Sequence, residues 1–174
     1  VLANLSGIAK GFGVDQAASA LEGLGIADYM IEVGGEIRTK GRNGDGRPWQ
    51  LAIERPDAMP QRALRVVPLD GRSLATSGDY RNFFLHEGRR YSHEIDPARA
   101  VPVGHALASV SVVAYDCTHA DAWSTALFVL GPERGFETAH RLGLAAHFVV
   151  RQPDGSFVER QSTAFAALGG YAAG

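Results

Sequence analysis

Thr118-His119-Ala120-Asp121-Ala122-Trp123-Ser124-Thr125-Ala126-Leu127-Phe128-Val129-Leu130 is the clearest helix in this sequence. Gly131 stops it, and Pro132 suits the first turn of a second helix over 133–142, which Gly143 closes. Immediately upstream, residues 108–114 read as a strong strand. The first helix also carries chemistry. Positions i and i+4 share a helix face, so Asp121 and Thr125 can point at one object. Two oxygen ligands at that spacing suit a hard cation such as Mg2+, which keeps waters and substrate phosphates in its remaining positions. The same residues also support a structural reading. Thr118-x-x-Asp121 fits a capping box, and Thr125 can face its own turn.

Downstream, residues 147–151 and 157–160 form a hairpin across Pro153-Asp154-Gly155, and the Ala/Gly-rich tail is expected to fray. At the other end, residues 1–6 read as part of a strand leading into a glycine-rich connection over 7–13. Val14, Ala17, Ala18, Leu21 and Leu24 then recur at helical spacing, up to Gly23 or Gly25. Residues 29–33 read as a strand running into Gly34-Gly35, with 36–40 after it, a turn at 42–46 and β character at 49–54. Residues 62–69 and 73–75 predict a hairpin around Asp70-Gly71, and Thr76-Ser77-Gly78-Asp79-Tyr80 a polar turn. Residues 83–85 and 91–95 are expected to pair around Glu87-Gly88. Many strands and about three helices, without strict alternation, predict an α+β fold in a single domain, 1–174.

A chain of 174 residues, 45% hydrophobic and with a formal net charge of −2, is long enough for one well-formed core. Its near-neutral balance gives no reason to expect nucleic acid or a membrane surface as partner. The single cysteine, Cys117, excludes an internal disulfide and a cysteine-cluster metal site, and reads as a small core residue. No apolar run is long enough to span a bilayer, and no signal peptide opens the chain. Starting inside a strand candidate, the sequence reads as part of a longer protein.

Four polar clusters interrupt the elements. Ala9-Lys10-Gly11 sits at a strand-to-helix junction, where small residues, a helix N-terminus and a lysine favour an anion; small residues also serve plain turns. Glu32-Val33-Gly34-Gly35-Glu36 permits close approach of a ligand, or a β-bulge. Thr76-Ser77-Gly78-Asp79-Tyr80 groups hydroxyls and a carboxylate, as turns also do. In Tyr91-Ser92-His93-Glu94-Ile95-Asp96-Pro97 a strand would place Tyr91, His93 and Ile95 on one face, with His93 either a general acid or base or a structural histidine. There is no H-E-x-x-H, C-x-x-C, G-x-S-x-G, G-x-G-x-x-G or Walker loop. His86, His105, His119, His140 and His147 show no metal-ligand spacing.

Taken in order, these clusters resemble the FAD:protein FMN transferase family, the ApbE-like flavin transferases. The matching pieces are Leu5-Ser6-Gly7-Ile8-Ala9-Lys10-Gly11-Phe12-Gly13-Val14-Asp15, Glu32-Val33-Gly34-Gly35-Glu36-Ile37, Ala75-Thr76-Ser77-Gly78-Asp79-Tyr80, the Tyr91 to Pro97 segment and Ala120-Asp121-Ala122-Trp123-Ser124-Thr125-Ala126-Leu127. The resemblance implies an α+β fold with mixed or antiparallel sheets. It also implies Mg2+-dependent transfer of FMN from FAD, the substrate, to a Ser or Thr hydroxyl of an acceptor protein, with release of AMP. A Mg2+-dependent FAD pyrophosphatase and a non-catalytic flavin-binding module are the alternatives.

By resemblance, Asp121 and Thr125 are side-chain metal ligands, the Ala9 carbonyl is a main-chain ligand and His93 assists removal of the acceptor proton. Lys10, Gly11, Gly34, Gly35, Glu36, Thr76, Ser77 and Gly78 line the FAD site. The resemblance further implies that the chain is a C-terminal part, that membrane anchoring resides only in an N-terminal part, and that the location is extracytoplasmic, the periplasm of a bacterium. One departure stands out. Pro97-Ala98-Arg99-Ala100-Val101-Pro102 replaces the more usual P-R-T-G-x-P, so the turn glycine is absent beside His93.

Overall fold

The structure is a computed structural model that describes residues 4–57, 60–79, 83–86 and 89–173. Its elements run α1 (Ala9–Gly23), β1 (Tyr29–Val33), β2 (Glu36–Lys40), β3 (Trp49–Glu54), β4 (Ala63–Leu69), β5 (Ser73–Gly78), β6 (Phe83–His86), β7 (Arg89–Ser92), β8 (Ile95–Asp96) and β9 (Val101–Pro102). They continue with β10 (Leu107–Ala114), α2 (Cys117–Leu130), α3 (Pro132–Leu142), β11 (Ala145–Arg151), β12 (Phe157–Gln161), α4 (Thr163–Ala166) and β13 (Tyr171–Ala172). One sheet has the order β1-β2-β5-β10-β11-β12 and a second the order β13-β4-β3, while β6-β7 and β8-β9 are separate pairs. All of these pairings are antiparallel. The fold is therefore α+β, as expected.

Strand β10 shows why the layers stack as they do. It is buried along seven of its eight residues, because both faces are covered. Val110 and Val112 meet Leu127, Phe128, Ala139 and Phe148 in a core under α2 and α3. Val113, on the opposite face, joins Leu51, Ile53, Val67, Leu69, Leu74 and Phe165 in a second core between the sheets. Fully burying a side chain such as Phe128 or Phe148 stabilises the fold by roughly 1.5–3 kcal/mol relative to exposure. The layers are helices, six-stranded sheet and three-stranded sheet. The α3 ends are those anticipated: Pro132 in the first turn and Gly143 in the left-handed conformation.

Several local expectations are corrected. Residues 4–8 form a loop and turn rather than a strand, since the amides of Ile8 and Ala9 both donate to the Leu5 carbonyl. The glycine-rich 9–13 stretch lies inside α1, not in a connection before it. A Cβ on Gly11 would lie 2.3 Å from the Cys117 carbonyl oxygen and 2.7 Å from Asp121 Cβ, so this glycine sets how closely α1 meets α2. β4 and β5 are not a hairpin: β4 pairs with β3 and β13, β5 with β2 and β10, and the chain turns a corner between sheets at Asp70-Gly71. Thr39 anchors that corner, its hydroxyl donating to the carbonyl of Arg72 at 2.9 Å.

Thr76, Ser77 and Gly78 end β5 rather than form a turn. β6 and β7 pair as read, with Phe84 opposite Tyr91, but β7 stops at Ser92 and leaves His93 at a bend. The described part of the tail carries regular elements. Ser162 caps α4, Phe165 enters the second core, and β13 pairs with β4. Residues 1–3 of the expected opening strand, Tyr80, and the Glu87-Gly88 turn lie outside the described residues.

Candidate active site

The site begins where α1 crosses α2, because each helix caps the other. The first free amides of a helix need acceptors. In α2 the Asp15 carboxylate, from α1, accepts from Cys117 N–H at 3.0 Å and Thr118 N–H at 2.8 Å, and also from the Thr118 hydroxyl. Asp116 accepts from His119 N–H at 2.8 Å, and its carbonyl from Ala120 N–H. Thr118 and Asp121 thus form no capping box. Asp121 instead reaches across to α1, accepting from Gly11 N–H at 2.9 Å through Oδ2. It is 2% exposed, so its direction is fixed by packing.

Arg38 of β2 completes the frame with an ion pair to Asp15 at 2.6 Å. Burial alone would raise the Asp15 carboxyl, but the hydrogen bonds from Thr118, Cys117 and Arg38 hold it below its ordinary value.

Beside this crossing opens a cleft of about 710 Å3. α1 supplies Lys10, β1 and the following turn Glu32, Gly34 and Gly35, and β2 Glu36. β3 supplies Glu54, β5 Thr76, Ser77 and Gly78, the bend after β7 His93 and Glu94, and α2 Asp121 and Thr125. Gly34 and Gly35 have φ values of 61° and 100° and join β1 to β2 as a two-residue hairpin loop, not a bulge. Their turn comes over Lys10, with the built Gly34 Cβ 3.4 Å from the lysine Cδ. Lys10 Nζ lies 2.7 Å from the carboxylate of Glu36, which is 2% exposed. Burial pushes Glu36 above the usual carboxylate range, while Lys10 pulls it back.

A chain of hydroxyls ties the end of β5 to α2. Ser77 Oγ lies 2.9 Å from Ser124 Oγ and 3.2 Å from Thr125 Oγ1, and Thr76 bonds Ser111 of β10 at 2.7 Å. Thr125 therefore faces the cleft with an oriented hydroxyl, one helical turn from Asp121. The lining includes, among the described residues, the carboxylates of Glu32, Glu36, Glu54, Glu94 and Asp121 and the ammonium of Lys10. Among the described residues no group of three His, Cys, Asp or Glu side chains is arranged to hold a metal ion. The oxygen donors brought together are the carboxylate of Asp121 and the hydroxyl of Thr125.

Of the residues singled out from sequence, Lys10, Gly34, Gly35, Glu36, Thr76, Ser77, Gly78, His93, Asp121 and Thr125 all line this cleft. Gly11 lies behind it, bonded to Asp121. Ala9 is exposed at the first position of α1 and is not among the lining residues. The sequence reading passed over Glu94, Glu32 and Glu54. Glu32 and Glu94 belong to quoted clusters, so a signal existed; Glu54 arrives on a strand of the other sheet, which no local spacing reveals. Cys117 is buried, and burial pushes its thiol up to about 12, which rules it out as a nucleophile.

The fold and cleft define a class: an α+β scaffold that sets an Asp/Thr pair, a lysine and a histidine around one anion-sized cavity. Residues 2–148 match the ApbE family, and the chain belongs to it. It is 48% identical over 169 residues to the FAD:protein FMN transferase of Haemophilus influenzae, covering 97% of this chain and 49% of that one. The apo crystal structure of the Pseudomonas stutzeri flavinyl transferase ApbE superimposes with a TM-score of 0.83 at 47% identity, covering 95% of this chain and 50% of that one. The flavin transferase ApbE from Vibrio cholerae gives 0.84 at 43%, covering 95% and 52%. The chain thus spans about half the length of the relatives it matches.

Proposed function

We propose that this chain, acting as one domain, transfers FMN from FAD to a Thr or Ser hydroxyl of an acceptor protein in a Mg2+-dependent reaction. The observation that carries the reading is the meeting of Lys10, His93, Asp121 and Thr125, far apart in sequence, in one cleft. Relatives named FAD:protein FMN transferase support it. In the reaction the acceptor oxygen bonds to the FMN phosphorus, the phosphoanhydride bond to the AMP moiety breaks, and AMP departs with the bonding electrons.

His93 receives the hydroxyl proton. Lys10 offsets pyrophosphate charge from the first turn of α1, and the Gly34-Gly35 turn lets the substrate approach the backbone. The residues fit Mg2+: Asp121 commits one oxygen to Gly11 N–H and keeps a second for a ligand, and Thr125 adds a hard hydroxyl donor. When bound, Mg2+ would supply charge neutralisation at the pyrophosphate. Asp121 and Thr125 would hold it; Ala9, outside the cleft lining, is not among the groups placed to do so.

Mass spectrometry after incubation with FAD, Mg2+ and a Thr-containing acceptor peptide tests this. A peptide that gains FMN only with metal supports transfer. Free FMN and AMP with an unmodified peptide would turn the reading to FAD hydrolysis, and FAD binding without turnover to a flavin-binding module. The same reading carries an extracytoplasmic, periplasmic location, checked by fractionating the source bacterium.

A further inference from the structure

We propose that His147, Glu159 and Arg65 form an acid-sensitive clasp between the two main sheets, a tie that holds while the imidazole is neutral and weakens when it takes a proton. None of the three residues lines the cleft, and the clasp does not depend on the flavin-transfer reading. His147 lies on β11 and Glu159 on β12 of the six-stranded sheet, and Arg65 on β4 of the three-stranded one. Glu159 Oε2 lies 2.7 Å from His147 Nε2 and accepts from Arg65 Nε at 3.0 Å. One carboxylate oxygen thus joins both sheets. Gln161 of β12, opposite His147 in the register, also accepts from Arg65 Nη2 at 3.0 Å through its amide oxygen.

The imidazole has no acceptor waiting for a second proton. His147 is 0% exposed, and its ring lies 5.3 Å from that of Phe165, a member of the inter-sheet core. The charged groups that face it are Glu159 of β12 and Arg65 of β4, while β10 and α4, packed beside it, carry no charged side chain. Burial raises the Glu159 carboxyl, but the hydrogen bonds from His147 and Arg65 hold it below its ordinary value. An ionised carboxylate only accepts, so Nε2 carries the ring hydrogen and Nδ1 the lone pair. Nδ1 is buried without a hydrogen-bond partner among the described residues. A proton added there would create an unpaired N–H and a buried charge on the same side of the carboxylate as the Arg65 guanidinium's own claim. Burial accordingly holds His147 below its ordinary value, although Glu159 draws it up. The unfolded chain meets no such penalty, so acid favours release.

Unfolded, His147 takes its proton near its ordinary value of about 6.5; folded, it does so at lower pH. Between the two values the unfolded chain binds the extra proton. The stability that depends on a neutral His147 is therefore complete above about pH 7 and is lost as pH falls through that interval. The test is urea unfolding of the intact chain and of H147Q from about pH 8 down to about pH 5. Relative to H147Q, the wild-type unfolding constant should rise by up to about tenfold per pH unit below about pH 6.5, the effect of one proton. A fixed offset in H147Q does not alter that change with pH. NMR of the wild-type ring reads the same group without a variant: the neutral ring should carry its proton on Nε2 and titrate below the ordinary histidine value. R65Q should raise that midpoint by about half a unit, since Arg65 opposes the imidazolium from the other sheet. A gap between wild type and H147Q that stays constant across the range overturns the proposal, as does a neutral ring protonated on Nδ1. A midpoint that R65Q leaves unmoved would take the second sheet out of the clasp and overturn it as well.

Discussion

At the α1–α2 crossing each polar group that matters is tied to a second element. Asp121 accepts from Gly11, Asp15 from the first amides of α2, and Ser77 bonds both Ser124 and Thr125. His93 belongs to the same cleft but is built differently. It lies between two small strand pairs, β6-β7 and β8-β9, that join neither main sheet, and half of its side chain meets solvent. The turn that follows it contains Ala100 at φ 55°, the one non-glycine residue with positive φ among those described. The groups that organise charge are thus part of the fold itself. His93 sits instead on a segment outside both main sheets, tied to the core through the Val103 amide, which donates to the Glu94 carbonyl.

The largest effects should break the site at its rigid wall. Asp121→Ala should cut metal-dependent transfer by about a thousandfold, in line with the loss of a principal electrostatic stabiliser. It should also lower stability by about 1–3 kcal/mol, because Gly11 N–H loses a buried acceptor. Turnover and denaturant unfolding measure the two losses. Full activity with unchanged Mg2+ dependence would sink the metal assignment. His93→Ala should slow transfer by about 10²–10⁴ while leaving stability within about 0.5 kcal/mol. If rate and FAD affinity fall together, His93 belongs to the binding wall and the contrast disappears.

The same contrast explains what the sequence made legible. Periodicity and breakers located β10, an almost wholly buried apolar run, and α2, α3 and the β11–β12 hairpin, which Gly or Pro residues bound. That Asp121 and Thr125 face one cleft was legible because i and i+4 on one helix is a local relation. The crossing was not. Gly11 looks like a loop glycine until Cys117 and Asp121 are seen to occupy the space of its missing side chain. The apparent hairpin at Asp70-Gly71 failed for a related reason: both flanking runs are β-like, and only the inter-sheet core containing Leu69 and Leu74 sends them to different sheets. Glu54 enters the cleft from that second sheet, so no spacing along the chain could announce it.

A smaller effect tests how far the rigid half depends on Asp15. Replacing it with Asn should cost about 1–2 kcal/mol, since Asn keeps the shape but weakens charge-assisted capping of α2. The pH dependence has a definite sign. The folded state holds the Asp15 carboxyl below its ordinary value, so its contribution is complete above the ordinary Asp range. That contribution is lost as pH falls through the depressed value, in a window below about pH 4. Unfolding measured from pH 7 downward should show wild type and Asp15→Asn converging only in that acid window. A gap constant down to pH 2 would mean that the carboxylate charge is not what Asn fails to supply at the crossing.

The smallest effect is the sharpest probe of the two-part design. Ala100 occupies a left-handed conformation that costs an L-residue roughly 1–2 kcal/mol, part of which glycine returns as chain entropy when unfolded. Ala100→Gly should therefore stabilise the turn by about 0.5–1 kcal/mol net. The turn is closed by Ala100 N–H donating to the Asp96 carbonyl at 2.8 Å, and the neighbouring Val103 amide bonds Glu94. If this segment opens on its own, the gain appears locally, as about two- to fivefold slower hydrogen exchange at Val103 with the global unfolding midpoint unmoved. If the segment unfolds only with the core, the same gain raises the global stability instead. That second outcome would make the His93 segment as much a part of the cooperative fold as the α1–α2 crossing, and its position outside the main sheets would then describe topology alone.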